Sequence, residues 1–399
     1  MKQDKIITCT MKRIVYIFIL FNLLANQLKA QDKLTINGYI STVGQSIMIK
    51  DSADNLDAQS DLIIHNRINI TYYPNDKITG HLEFRNQFVV GEMAKNTPNY
   101  AKQFSKDKGM VDLNWNWFEC DNNLLNTQID RAYLEYVNGK LELSLGRQRI
   151  NWGRTLVWNP NDLFNAYSYY DFDYMEKPGA DALRALYYTG MASSVEIVAK
   201  MDSAENLTLA GLTKLNNWGY DFQILAGYVN SEDYIIGGGW EGNIKSFAFR
   251  GEMSYYQPEK NFADTSGVFL FSVGADYAFE NSMMVQFEFL YNDNKVLNSP
   301  LELFSGAPQN SKSLSFSETN YFGNISYPIL PILTVNFAGM YFHDYKGYFL
   351  MPGVDVSLKD NLVFTTSAQY FNLEFENPYT GVSSRVGTTI AFARLKWNF

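Results

Sequence analysis

The chain has 399 residues, 46% hydrophobic and 16% aromatic, with a formal net charge of −9 at pH 7. A mean hydropathy of −0.22 is too low for a bundle of membrane-crossing helices, and the acidic balance is wrong for nucleic acid, whose phosphates need a basic face. Two cysteines, Cys9 and Cys120, exclude an internal disulfide framework or a cysteine-rich zinc site.

The first segment reads as a leader. Met11-Lys12-Arg13 is a basic start, residues 14–24 are an apolar run broken only by Asn22, and LKA-QD at 28–32 offers cleavage after Ala30. That is a secretory signal peptide over 1–30, and Met11 competes with Met1 as its true start. The run is shorter than the ~20 residues that span a bilayer. Without the leader, which holds five of the 33 basic residues and one of the 42 acidic ones, 28 cations face 41 anions and the net charge is −13. The residue after the cleavage point is Gln31, not cysteine, so a lipid anchor is unsupported.

From residue 31 onward strict alternation recurs. In GHLEFRNQF, Leu82, Phe84 and Phe88 oppose His81, Glu83, Arg85 and Gln87. In QIDRAYLEYV, Ala132, Leu134 and Tyr136 oppose Arg131, Tyr133 and Glu135, and in KLELSLG three leucines oppose Glu142 and Ser144. In MMVQFEFLY, Val285, Phe287, Phe289 and Tyr291 oppose Gln286 and Glu288. Period two means strands with one apolar and one polar face. The chain is rich in Tyr (27) and Phe (28), which favour strands.

Candidate strands begin near 34, 64, 79, 127, 140, 181, 193, 206, 218, 233, 244, 268, 283, 319, 332, 348, 361 and 384. Short turns (74–77, 138–139, 189–192, 216–218, 241–243, 280–282, 328–331, 359–361) alternate with a second set of connections, several of them long (43–62, 91–126, 151–180, 257–267, 293–318, 375–383). Strand length, about 9–11 residues for a tilted membrane strand, and this asymmetry predict an all-β fold. It is a transmembrane, antiparallel, up-and-down β-barrel over 31–399 with about 18 strands, sixteen being the competing count.

Trp218, Trp240 and Trp397 each adjoin a short turn or the C-terminus. They predict an inner aromatic girdle at headgroup level. The final strand, TTIAFARLKWNF, puts Ala391, Ala393, Leu395, Trp397 and Phe399 on one parity and Arg394, Lys396 and Asn398 on the other. A terminal strand ending in phenylalanine resembles the C-terminal signature of bacterial outer-membrane β-barrels. The resemblance implies an integral outer-membrane protein of a Gram-negative cell, surrounded by outer-membrane lipid, with Phe399 recognised by the barrel-insertion machinery.

Residues 146–184 read GRQRINWGRTLVWNPNDLFNAYSYYDFDYMEKPGADALR. The order G-R-Q, W-G, W-N-P-x-D-L-F-N and P-G-x-D-A-L-R resembles a stretch of porin-like outer-membrane families. The resemblance implies a third outer loop, 151–180, folded into the lumen as a constriction. Its aromatic density also suits packing rather than exposure. Trp152, Trp158, Asn159, Asp162, Asp171, Asp173 and Glu176 are its candidate residues. Arg67, Arg85, Arg131 and Arg184 lie on the polar parity of neighbouring strands and form a candidate basic wall. Arg147 and Arg149 share the parity of Leu145; either they sit at headgroup level or, as is preferred, a bulge at Gly146 turns them inward. A basic wall facing an acidic loop would select solutes by charge. The plain alternative is mutual neutralisation, as between Arg131 and Glu135 or Arg85 and Glu83.

Catalysis has little support. His65 and His81 sit on strands, and His343-Asp344 lies at an outer strand end without a recognisable nucleophile. The glycine clusters at 237–239 and 274–276 lack the rest of a phosphate loop. NDN (292–294) and DFDYME (171–176) carry carboxylates without calcium-loop spacing. We therefore assign no catalytic residue, metal or cofactor. The expected function is passive diffusion of small hydrophilic solutes. The rivals are a surface adhesin or structural barrel, and a hydrolase at the rim. Association as a homotrimer stays open.

Overall fold

The computed structural model describes residues 33–50, 56–97, 99–120, 122–165, 169, 176, 179–294, 311–376 and 383–399. The leader, and Asp171 and Asp173 of the expected constriction, lie outside the described residues.

The strands are β1 (Leu34–Lys50), β2 (Leu56–Asn75), β3 (Ile78–Gly91), β4 (Asn114–Cys120), β5 (Asn123–Asn138), β6 (Leu141–Gln148), β7 (Ala180–Tyr188), β8 (Ser194–Met201), β9 (Leu207–Asn217), β10 (Tyr220–Val229), β11 (Asp233–Ile244) and β12 (Phe247–Pro258). They continue as β13 (Val268–Ala278), β14 (Met284–Asn292), β15 (Thr319–Leu330), β16 (Leu333–Phe342), β17 (Gly347–Lys359), β18 (Leu362–Glu376) and β19 (Ser383–Asn398). Sequential neighbours pair antiparallel, except that β3 pairs directly with β5. The last strand returns to the first, from Tyr39↔Asn398 to Lys50↔Gly387. Eighteen strands thus close the ring, with β4 outside the count. Closure extends to the terminal residue: Phe399 and Gly38 exchange both backbone hydrogen bonds at 3.0 Å. Among the described residues every strand of the ring pairs on both sides, as a hydrocarbon environment requires.

The outer parity explains where the ring sits. Leu134, Leu145, Leu183, Ile197, Ile224, Ile236, Phe287, Phe337 and Leu395 are all exposed on it. So much contiguous apolar surface is unstable against water and matches lipid. Tyrosine and phenylalanine pairs, Tyr228–Tyr234, Phe269–Tyr291 and Tyr348–Tyr370, mark the long-loop rim. At the rim bearing the termini, Trp218 adopts φ +54° in its turn and is 84% exposed. Trp397 packs on Phe399 there. Trp240 lies further in, half-buried against Phe249 and Phe271. It fits because residue 251 is glycine: a Cβ there would lie 2.3 Å from the indole.

Three features depart from simple alternation. First, the inner parity is not polar throughout. Toward the long-loop rim, Val198, Leu212, Leu225, Leu270, Leu290, Phe342, Phe349 and Phe371 face inward and form one cluster with residues 150–164 and 314–316. A second cluster, Val43, Ile63, Val89, Leu124 and Phe392, is covered by Ala94, Tyr100, Ala101 and Phe104. Loops, not water, meet these surfaces.

Second, the register break is not at Gly146. That residue has φ +119°, yet both ladders of β6 run through it unshifted. The shift lies on β5, where Glu83↔Arg131 is followed by Phe84↔Ile129 and Asp130 is the extra residue. Arg147 therefore keeps the parity of Leu145, opposite Asp181.

Third, residues 91–126 are not a plain loop. They hold two helical turns, Glu92–Asn96 and Tyr100–Phe104, and then β4, which pairs with the end of β5 that β6 leaves free. Because β6 stops at Gln148 and the chain turns into the lumen, the wall beside β5 would be open. Residues 107–113 and β4 close it. Leu113 accepts a backbone bond from Ile129 (2.9 Å), and Gly109 bridges to Asp202 beyond β8. Arg147 ties the closure together, donating to Asp107 (2.7 Å), Asp181 (2.7 Å) and the Val111 carbonyl (2.6 Å).

Candidate functional site

The segment after β6 runs through the barrel interior against β10–β15. It has no regular secondary structure, so its backbone N–H groups need partners. Two inward glutamates supply them. Glu252 on β12 accepts from the amides of Arg154, Thr155 (2.7 Å) and Asn161 (2.9 Å), and from the Thr155 hydroxyl (3.1 Å). Glu288 on β14 accepts from Leu156 (2.9 Å), Val157 (3.1 Å) and Trp158 (2.7 Å), and from the Ser272 hydroxyl (3.2 Å). Wall groups complete the seat: Gln223 donates to the Trp152 carbonyl (2.8 Å) and Ser254 to the Pro160 carbonyl (3.0 Å). Trp152 is buried edge-on against Phe164, and Trp158 meets Phe322. Asn159 and Asp162 are buried in the same stretch.

Two described residues, Tyr169 and Glu176, mark the return leg. Tyr169 packs on Phe322 and Phe349. Glu176 accepts a bond from the Tyr39 hydroxyl on β1 (3.1 Å) and stands 3.8 Å from Arg67 on β2. Arg67 also pairs with Glu83 (2.5 Å) and with Asp130, the bulge residue of β5. Between this wall and the loop lies a cavity of about 570 Å³. Its lining carries four cations, Arg67, Arg131, Arg149 and Lys396, against two anions, Glu83 and Glu176, with the amides of Asn37, Asn69 and Asn398.

No protein-family model matches the chain. No curated protein matches it either. Solved structures do. Acinetobacter baumannii OccAB3 has a TM-score of 0.57 at 9% identity, covering 91% of this chain and 99% of its own. A. baumannii OccAB4 gives 0.55 at 11%, covering 92% and 99%. Pseudomonas aeruginosa OccK8 (OprE) gives 0.55 at 7%, covering 91% and 98%. The fold is that of a porin-like transmembrane β-barrel.

Within this porin-like barrel the charged residues fall into separate groups. Arg67, Arg131 and Arg149 line one cavity. Arg85, opposite Arg67 in the β2–β3 register, donates to Gln128 (3.1 Å). Arg184 is elsewhere, locked between Glu142 (2.5 Å) and Glu196 (2.8 Å). Arg149 lies just past the end of β6 and reaches the cavity without a bulge. Glu83, expected as a neutralising partner for Arg85, pairs with Arg67 (2.5 Å). His343 lies exposed beside Tyr341, and its neighbour Asp344 accepts from the Glu318 amide (2.7 Å).

Sequence reading missed Tyr39, Asp130 and Glu252, and it placed Glu288 and Lys396 on the polar parity without making them site residues. The glutamates sit among polar inward neighbours, Arg250 and Ser254 flanking Glu252 and Gln286 preceding Glu288, so no local pattern marks them as a seat.

Proposed function

We propose that the chain forms a water-filled channel through the bacterial outer membrane, passing small hydrophilic solutes along their gradient and selecting them by charge. The observation that carries this reading is the mixed-charge cavity of about 570 Å³, with cations in excess, inside a closed ring of eighteen strands. Barrels of this size leave room for an aqueous lumen, whereas eight-stranded ones fill with side chains. Glu176 borders the constriction from the loop, Trp152, Trp158, Asn159 and Asp162 pack that loop onto the wall, and Arg67, Arg131, Arg149 and Lys396 give the constriction its field. Asp171 and Asp173 belong to the same loop by sequence.

On this reading the 1–30 leader directs export, Phe399 serves recognition by the insertion machinery, and Trp218, Trp240 and Trp397 anchor the inner side. A homotrimer is compatible with the apolar outer face, and cross-linking in native membranes tests it. The channel itself is tested by reconstituting purified protein in planar bilayers across a salt gradient. Steady unit conductance with a reversal potential displaced toward anion preference supports it. A barrel that inserts and never conducts would favour the surface-adhesin reading.

A further inference from the structure

We propose that Glu252 and Glu288 are positioning residues that seat the lumen loop and thereby set the bore of the channel; the proposal rests on the channel reading. Both carboxylates are buried, at 0% and 1% exposure. Among the described residues neither has a salt-bridge partner. A buried carboxylate without compensation is costly, and here the compensation comes from backbone. Six amides, those of residues 154–158 and 161, converge on the two side chains.

The dependence is mutual. The loop has no ladder of its own, so without the glutamates these N–H groups would be buried and unbonded. The loop in turn takes both carboxylates out of lumen water, and its amides replace the hydration they lose. Carboxylates accepting several backbone amides form strong, charge-assisted contacts. Other wall contacts include Gln223 and Ser254 on loop carbonyls, an ion pair of Arg154 with Glu241 (3.2 Å) and a bond from Lys200 to the Phe164 carbonyl (3.3 Å), but none of these takes up the six amides.

The consequence is positional. Glu252 and Glu288 lie on β12 and β14, across the ring from β1, β2 and β5, which carry the basic cavity. By holding residues 154–161 against that far wall they keep them away from Arg131, Arg149 and Lys396. They touch no solute and act through the loop.

The experiment uses full-length protein with Glu252→Gln and Glu288→Gln, singly and together, and Val157→Pro, which removes one loop donor and leaves the wall intact. Gel mobility before and after heating reports whether the barrel is formed. The double variant is expected to conduct roughly two-fold or more above wild type, with noisier open states and weaker ion selectivity. Protease should cut within 150–165 in the double variant and spare wild type, and Val157→Pro should show the same change in lesser degree. A formed double variant with wild-type conductance, noise and protease resistance overturns the proposal. If the double variant does not form a barrel, Val157→Pro decides: unaltered noise and protease resistance there also overturn it. Absence of conductance in wild type defeats the channel reading instead, and the cleavage pattern still decides the seat.

Discussion

Lys396 holds its ammonium 4.2 Å above the ring centroid of Tyr39, so the last strand meets the first inside the lumen as well as along the ladder. Cation–π contact fixes the side chain without cancelling its charge. Neither Lys396 nor Arg149 forms an ion pair with a described residue, and both line the cavity. Arg184, in contrast, is held by two glutamates. Replacing Lys396 and Arg149 together by Ala is expected to lower the anion-to-cation permeability ratio by roughly three- to five-fold at low salt, less at high salt. Arg184→Ala should move it far less. Reversal potentials in a salt gradient check both.

Arg67 is a structural hub. Its guanidinium pairs with Glu83 and with Asp130, and Asp130's side chain is fully buried. Arg67→Ala leaves that anion buried without its main partner, a change that costs about 3–5 kcal/mol. The temperature at which the folded band converts on a gel should fall. Arg67→Lys should rescue little, because an ammonium cannot serve several carboxylates in fork geometry.

Arg147 closes the wall rather than lining the pore. Arg147→Ala removes its contacts to Asp107, Asp181 and the Val111 carbonyl at once. Protease is expected to cut residues 105–113 in the variant and not in wild type, with ion selectivity nearly unchanged. A large selectivity shift with an intact segment would contradict the assignment.

Gly251 makes room for Trp240. Gly251→Val places a Cβ 2.3 Å from the ring position now occupied, so the indole must leave its place. Overpacking of this kind costs roughly 1–3 kcal/mol. A shift in tryptophan fluorescence and a lower unfolding temperature are the readouts.

The ring was legible because stretches such as KLELSLG alternate strictly and because the connections at one rim are all short while the long ones gather at the other. β4 was not legible: NWNWFEC is brief and sits within a long connection, and it exists because β5 has a free edge that only the three-dimensional path of β6 creates. The bulge was misplaced for a related reason. Glycine at 146 advertises an irregularity, whereas Asp130 is an ordinary strand residue whose extra position shows only against the register of β3. The seat on Glu252 and Glu288 involves residues some ninety to 130 apart in sequence, beyond any local pattern.

The inward turn after Gln148 makes two surface connections interdependent. One leaves a hole in the staves, and the other, contributed by an earlier part of the chain, is the bung that fills it. Trimming residues 105–113 by design, or grafting the 149–179 excursion onto another scaffold by itself, would give a leaking wall. The two must be exchanged as a single cassette, Arg147 included.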